Sequence, residues 1–261
     1  MKVALCLMGI VGSATDKYGL GKSVDYRIGH HFIKKHILDK NDVDVFIHSW
    51  STEFKEGLVN DYAPKKYLIE DQLDFGEKML RQQSIKSRWY STQKSIQLKS
   101  EYEKENNFEY DFVIVYRFDC MFNRDVIFSE FDNKYFYTSH RRECYNSTCK
   151  CEMDANYADL LFFGNSKDMD KFGNLYDYSH VSQPPHMACK THIYYTGLGL
   201  RVKHAFYDRY DHHPVRYKYK DCQFHTGDLE LAKLEQFSDV NIGYDERSEK
   251  TPDYIIQRNQ K

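Results

Sequence analysis

No apolar run in this chain approaches the roughly 20 residues that a membrane-crossing helix needs, so the sequence offers no spanning segment. Proline is scarce: the five in 261 residues are scattered, and no linker-like stretch divides the chain. Internal repeats and low-complexity tracts are lacking, which excludes solenoid arrays. Net charge is nearly absent at −2, so the whole chain is no polyanion binder, and nucleic-acid contact would need a local basic patch. An even cysteine set is also missing. Cys6, Cys120, Cys144, Cys149, Cys151, Cys189 and Cys222 make seven, several of them inside apolar runs. That argues against a secreted disulfide framework and for a reducing, cytoplasmic compartment.

What is present is a large core and many rings. Hydrophobic residues make up 41% and aromatics 16%, with 22 Tyr and 17 Phe. The length suits one large α/β domain or a domain with a small subdomain. So many Tyr imply half-exposed positions, some of which can line a groove. The start, Lys2 followed by Val3–Val11 and Gly12-Ser13-Ala14, imitates a short signal peptide. The reading preferred is a first buried strand ending in a Gly-containing loop.

Pattern predicts strands at 2–8, 44–48, 63–70, 112–116, 135–138 and 160–164. It predicts helices at 23–39, 77–106 (with Ser87 as a candidate break), 168–177 and 186–197. The first half alternates strands with helices, as a largely parallel sheet covered by helices requires. The second half reads as a smaller mixed region, and 201–225 as short strands and loops. The expected architecture is a single α/β domain over 1–261. Residues 1–125 would form one half and 126–261 the other.

The segment Tyr110–Cys120 carries the strongest functional signal. The apolar run Phe112–Tyr116 ends in Arg117-Phe118-Asp119. In open α/β sheets, ligands sit beyond the carboxyl ends of the strands, so Arg117 and Asp119 stand where chemistry is done. A plain strand-end salt bridge is the competing account. Together with the first strand and its loop, Val43–Trp50, Pro64–Gln72 and Asp159–Tyr176, this block resembles a family of GT-A-like glycosyltransferases. Members occur in bacterial surface-polysaccharide clusters, phages and large viruses. The resemblance implies a Rossmann-like, mostly parallel sheet with a nucleotide-sugar donor half (1–125) and an acceptor half (126–261). It also implies a divalent cation, Mn²⁺ or Mg²⁺. In such enzymes an Asp-x-Asp holds the metal against the donor diphosphate. Here Arg117 replaces the first acid, leaving Asp119 as the metal ligand and Arg117 as a phosphate clamp or a partner that fixes Asp119.

Other candidates follow from the chemistry. A His near the C-terminus often completes such a metal site; His225 ranks before His212 and His213, and taken singly each of the three reads more readily as a surface or core His with no metal. Met8, Gly9 and Ser13 in the first loop would let a base or ribose approach the backbone. The Gly spacing is not that of a dinucleotide fingerprint. His48 and Trp50 end the second strand, with Trp50 either stacking on a ligand or filling the core. Lys17 and Lys22 are loop residues that can reach phosphates. Asp159 and Asp154 are candidate bases for an acceptor hydroxyl, with a turn-forming role as the alternative for Asp159. Lys218 belongs to a basic, aromatic stretch, 201–220, able to hold a diphosphate, an anionic glycan or DNA. Cys144, Cys149 and Cys151, with His140, have poor spacing for structural zinc.

The expected function is therefore metal-dependent sugar transfer from a nucleotide sugar, UDP favoured, to a glycan hydroxyl or a hydroxymethylated DNA base. The alternative is a non-catalytic glycan- or nucleic-acid-binding protein on the same fold.

Overall fold

A computed structural model describes residues 1–11, 26–140, 157–207, 211–214, 218–219 and 244–245. Ser13, Lys17, Lys22, Cys144, Cys149, Cys151, Asp154 and His225 lie outside the described residues, and of Lys218 only the backbone is described.

Strand β1 (Lys2–Gly9) is followed by α1 (Tyr26–His36), β2 (Asp42–Ser49), α2 (Lys55–Tyr62), β3 (Lys66–Ile69), α3 (Leu80–Asn106) and β4 (Phe112–Arg117). Then come β5 (Cys120–Phe122), β6 (Phe136–His140), β7 (Tyr157–Gly164), α4 (Ser166–Gly173), α5 (Pro185–Tyr195) and β8 (Val202–Tyr207). Short strands β9 (His212–Pro214), β10 (Lys218–Tyr219) and β11 (Tyr244–Asp245) complete the described elements.

Seven strands form one mixed, mostly parallel sheet in the order β3-β2-β1-β4-β7-β6-β8. β1 pairs in parallel with β2 and β4, and β2 with β3. β7 runs antiparallel to both β4 and β6, while β8 is parallel to β6, so β7 alone is reversed in this sheet. The two halves of the chain thus share a continuous sheet.

Alternation along the strands sends side chains to two separate cores. Val3, Leu5 and Leu7 of β1 pack with Ile33 and Ile37 of α1 and Leu58 and Tyr62 of α2 on one face. Ala4, Cys6 and Met8 pack with Ile85, Trp89 and Ile96 of α3, Met169 and Phe172 of α4, and Ile193 of α5 on the other. Much of the aromatic load is spent inside: Tyr137 stacks on Phe163 at 4.6 Å, and Phe131 meets Phe163 edge-on at 5.1 Å. Among the described residues no helix is long and apolar enough to cross a membrane.

Three local features differ from the sequence-based expectation. Helix α2 was not foreseen, because only Leu58 and Tyr62 of its eight residues are buried and Gly57 interrupts it. That glycine is needed: a Cβ there would strike the Tyr26 hydroxyl. Helix α3 runs unbroken through Ser87. It has no apolar stripe, because its buried face carries Ser87, Ser91, Thr92 and Ser95, small side chains that let the helix lie close on β1 and β2. Strand β5 was also missed; it pairs antiparallel with β9, which docks part of the 201–220 stretch directly after Asp119.

Candidate functional site

The carboxyl ends of β1, β2, β3 and β4 and the beginning of β7 meet at one edge of the sheet. Val113 and Val115 face α3, so by alternation Arg117 and Asp119 face it too, while Phe118 turns into the opposite core. Helix α1 crosses tightly beneath: a Cβ on Gly29 would collide with the Phe118 carbonyl oxygen. This contact fixes the backbone from which the two charges project.

Arg117 grips Asp119 in a two-bond fork, Nε to Oδ1 at 2.7 Å and Nη2 to Oδ2 at 2.5 Å. Asp119 is 1% exposed, and the Arg117 side chain keeps 20% of its surface open. Burial works against the Arg117 charge, but Asp119, Cys120 and Asp159 together outweigh it and hold the guanidinium cationic.

A second pair lies beside the first. Arg88 of α3 donates from Nη1 to Asp159 Oδ2 at 2.7 Å. Asp159 lies where the pairing of β7 with β6 loses register: β6 advances one residue, Thr138 to Ser139, while β7 jumps from Phe162 to Ala158. Bulges, one form of such a register shift, re-aim side chains and are frequent next to active sites. Burial alone would raise the Asp159 carboxyl; Arg88 and Arg117 together pull it below the ordinary carboxylate range, with His186 of α5 adding to them. A carboxylate held this low is a weak general base. Asp159 is therefore better suited to aiming Arg88 than to activating an acceptor.

On the other side of α3, the ends of β1 and β2 are tied together. His48 is fully buried and contacts Ser91 Oγ through Nδ1 at 2.7 Å and Glu70 Oε1 through Nε2 at 3.2 Å. Ser91 Oγ also accepts the Gly9 N–H at 2.8 Å, at a backbone φ of +103° that suits glycine. Burial pushes His48 down to about 4, against the pull of Glu70. His48 is thus a neutral linker of strand ends, enclosed away from solvent.

Trp50 is buried and stacks on Tyr90 at 5.4 Å and 24°; Phe75 and Tyr176 complete the ring cluster. The partly exposed rings are those of Tyr90, Phe75 and Tyr176, with Trp50 behind them. Met8 packs in the core beneath α3, because the period of the strand turns it there.

The remaining candidates stand elsewhere. His212 is fully buried beside Tyr116 and Phe122. Arg201 and Lys203 sit at the start of β8, at the opposite edge of the sheet. There Arg201 bonds Asp168 at 2.8 Å and Lys203 covers the Tyr135 ring. Sequence reasoning missed Arg88, Tyr90, Ser91 and Glu70, since helix periodicity gives an arginine or serine on α3 no distinguishing mark.

The divalent cation implied by the resemblance was tested against these residues. Hard cations need open oxygen ligands, but Asp119 has both oxygens in the Arg117 fork and Asp159 is bound to Arg88. No three His, Cys, Asp or Glu side chains converge as a ligand group among the described residues. Among the described residues, then, the arrangement offers no open ligand set for a divalent cation. Comparison with family models finds no match, and no curated protein is similar to the chain.

Proposed function

We propose that this protein is a glycosyltransferase of GT-A type that moves a sugar from a nucleotide-sugar donor to a hydroxyl acceptor. One observation carries this reading. Helix α3 divides the carboxyl edge into an aromatic side (Tyr90, Phe75, Tyr176) and a charged side (Arg88, Arg117, Asp119, Asp159). Partly exposed rings offer a base a stacking surface, and guanidinium groups recognise phosphate through paired N–H donors. A nucleoside diphosphate has both parts in one molecule. Two further features favour the GT-A type. The β3-β2-β1-β4 half is fully parallel, as a donor half should be, and the second half enters through the reversed β7 as a mixed region.

In the proposed reaction the acceptor oxygen bonds to the anomeric carbon of the sugar. The carbon–oxygen bond to the diphosphate breaks, and its electron pair remains on the phosphate oxygen. The acceptor proton goes to that phosphate or to water. The guanidinium donors of Arg88 and Arg117 would stabilise the leaving group, and water exclusion would come from the ring cluster and the buried strand ends. A UDP-sugar is the favoured donor, and a glycan or a hydroxymethylated DNA base the acceptor.

A panel of UDP-, GDP-, CMP- and dTDP-sugars, read by thermal shift and by release of free nucleotide, tests this. A stabilising donor that is also turned over with an acceptor is the expected result. The paired state of both acids favours a second reading, a non-catalytic binder. That reading holds if a nucleotide sugar binds and no acceptor ever releases its sugar.

A further inference from the structure

We propose that Arg88 and Arg117 form a cation-independent clamp for a diphosphate, doing with two guanidinium groups what a divalent metal would do. The inference rests on the nucleotide-sugar reading and specifies how its leaving group is held.

The two arginines are used incompletely by their protein partners. A guanidinium has five N–H donors in a planar fork. Arg88 gives one nitrogen to Asp159, while its Nε and Nη2 are buried and have no hydrogen-bond partner among the described residues. The Trp89 ring lies against the guanidinium at 4.8 Å, and the spare donors point out of its edge. Arg117 spends Nε and Nη2 on Asp119 and keeps part of its side chain open to solvent. Each carboxylate therefore holds one flank of an arginine, and donors remain on the other. Burial chiefly pulls the Arg88 guanidinium down; Asp159 opposes it, and Arg117 adds a smaller push in the same direction as burial. Each cation is already balanced by one carboxylate, so what remains unused is hydrogen-bond donors, and these suit an anion with several oxygens. A diphosphate supplies these with the charge and geometry that arginine pairs bidentately. The same contacts account for Arg117 in place of an acid: an acid there would lose both the fork to Asp119 and the second guanidinium.

Inorganic pyrophosphate in EDTA is the probe, read by melting temperature and by titration calorimetry. The expected result is a stabilising shift in wild type, the same with Mn²⁺ as without. In Arg88→Gln combined with Asp159→Asn, which removes the pair without leaving a lone charge, affinity should fall about tenfold or more. Arg201→Gln, at the opposite edge, should leave the response intact. Should the double variant fail to fold, Arg88→Lys keeps the charge and loses the fork, and it should still weaken binding. A shift that needs Mn²⁺, or one indifferent to every change at Arg88, overturns the clamp. A Mn²⁺-dependent response to a nucleotide sugar would overturn it too, while leaving the transferase reading standing. A response to pyrophosphate with no response to any nucleotide sugar would keep the clamp and sink the transferase.

Discussion

Helix α3 carries two buried cations about three turns apart, and their surroundings differ in kind. Lys99 is fully buried, and its ammonium reaches three acceptors: Glu103 at 2.9 Å, Ser166 at 2.7 Å and Asp170 at 2.6 Å. Glu103 in turn accepts Ser166 Oγ and the Tyr110 N–H, and Asp170 accepts Ser100. An ammonium has three donors, so this network is saturated; it rivets α3 to α4 and to the entry of β4. Arg88, closer to the carboxyl edge, is anchored on one flank and has buried donors to spare. Saturation is what a structural ion cluster requires, since a half-satisfied one is worse than an apolar contact. Unspent donors at the carboxyl edge are what the proposed diphosphate clamp would use.

The largest test of this contrast is Lys99→Met. Leaving Glu103 without its buried cation should destabilise the fold by about 3–5 kcal/mol, measured by denaturant titration, with pyrophosphate and nucleotide responses unchanged. A ligand effect from Lys99 would erase the distinction between the two clusters. Next is Asp119→Ala. The sequence alone suggests that the fold survives and turnover is lost. The fork changes that expectation, because an unpaired, largely buried Arg117 should lower stability by about 3 kcal/mol, or roughly 6–12 °C in Tm for a chain of this size.

Acidification comes third. His48 and His192 are each held down to about 4, chiefly by burial. Free histidine takes up its proton near pH 6.5. Between those values the unfolded chain binds protons that the folded chain refuses, so stability is full above about 6.5 and falls as pH drops toward 4. The slope is at most about 1.4 kcal/mol per pH unit for each residue, and His192→Gln should flatten the stability–pH curve. A variant curve as steep as wild type would remove His192 from that account. The smallest effect belongs to Arg201→Gln. Its ion pair to Asp168 is 40% exposed on the arginine side, so chemical denaturation should find a loss within about 1 kcal/mol.

Legibility in the sequence varied with the kind of information a residue carries. Buried strands were readable where β-branched and aromatic runs are continuous, as in Phe112–Arg117, and their order in the chain implied a parallel sheet. Met8 was read as part of a ligand-facing loop and strand alternation turns it into the core, while of the two readings open for Trp50 the stack on Tyr90 favours the interior one. Arg201 and Lys203 looked like companions of Arg117 by charge alone, and the direction of β8 places them at the far edge.

By itself, the amino-acid order determined the α/β class, the parallel first half and the Arg-x-Asp at a strand end, because periodicity and local chain chemistry act over a few residues. Tertiary structure decided which charges meet. Arg88 finds Asp159 across 71 positions only because β7 runs back beside β4 and brings its first residues to the carboxyl edge. Lys99 finds Asp170 across the same separation only because α4 packs on α3. Contacts of that kind depend on how sheet and helices are assembled, and no local pattern in the chain encodes them.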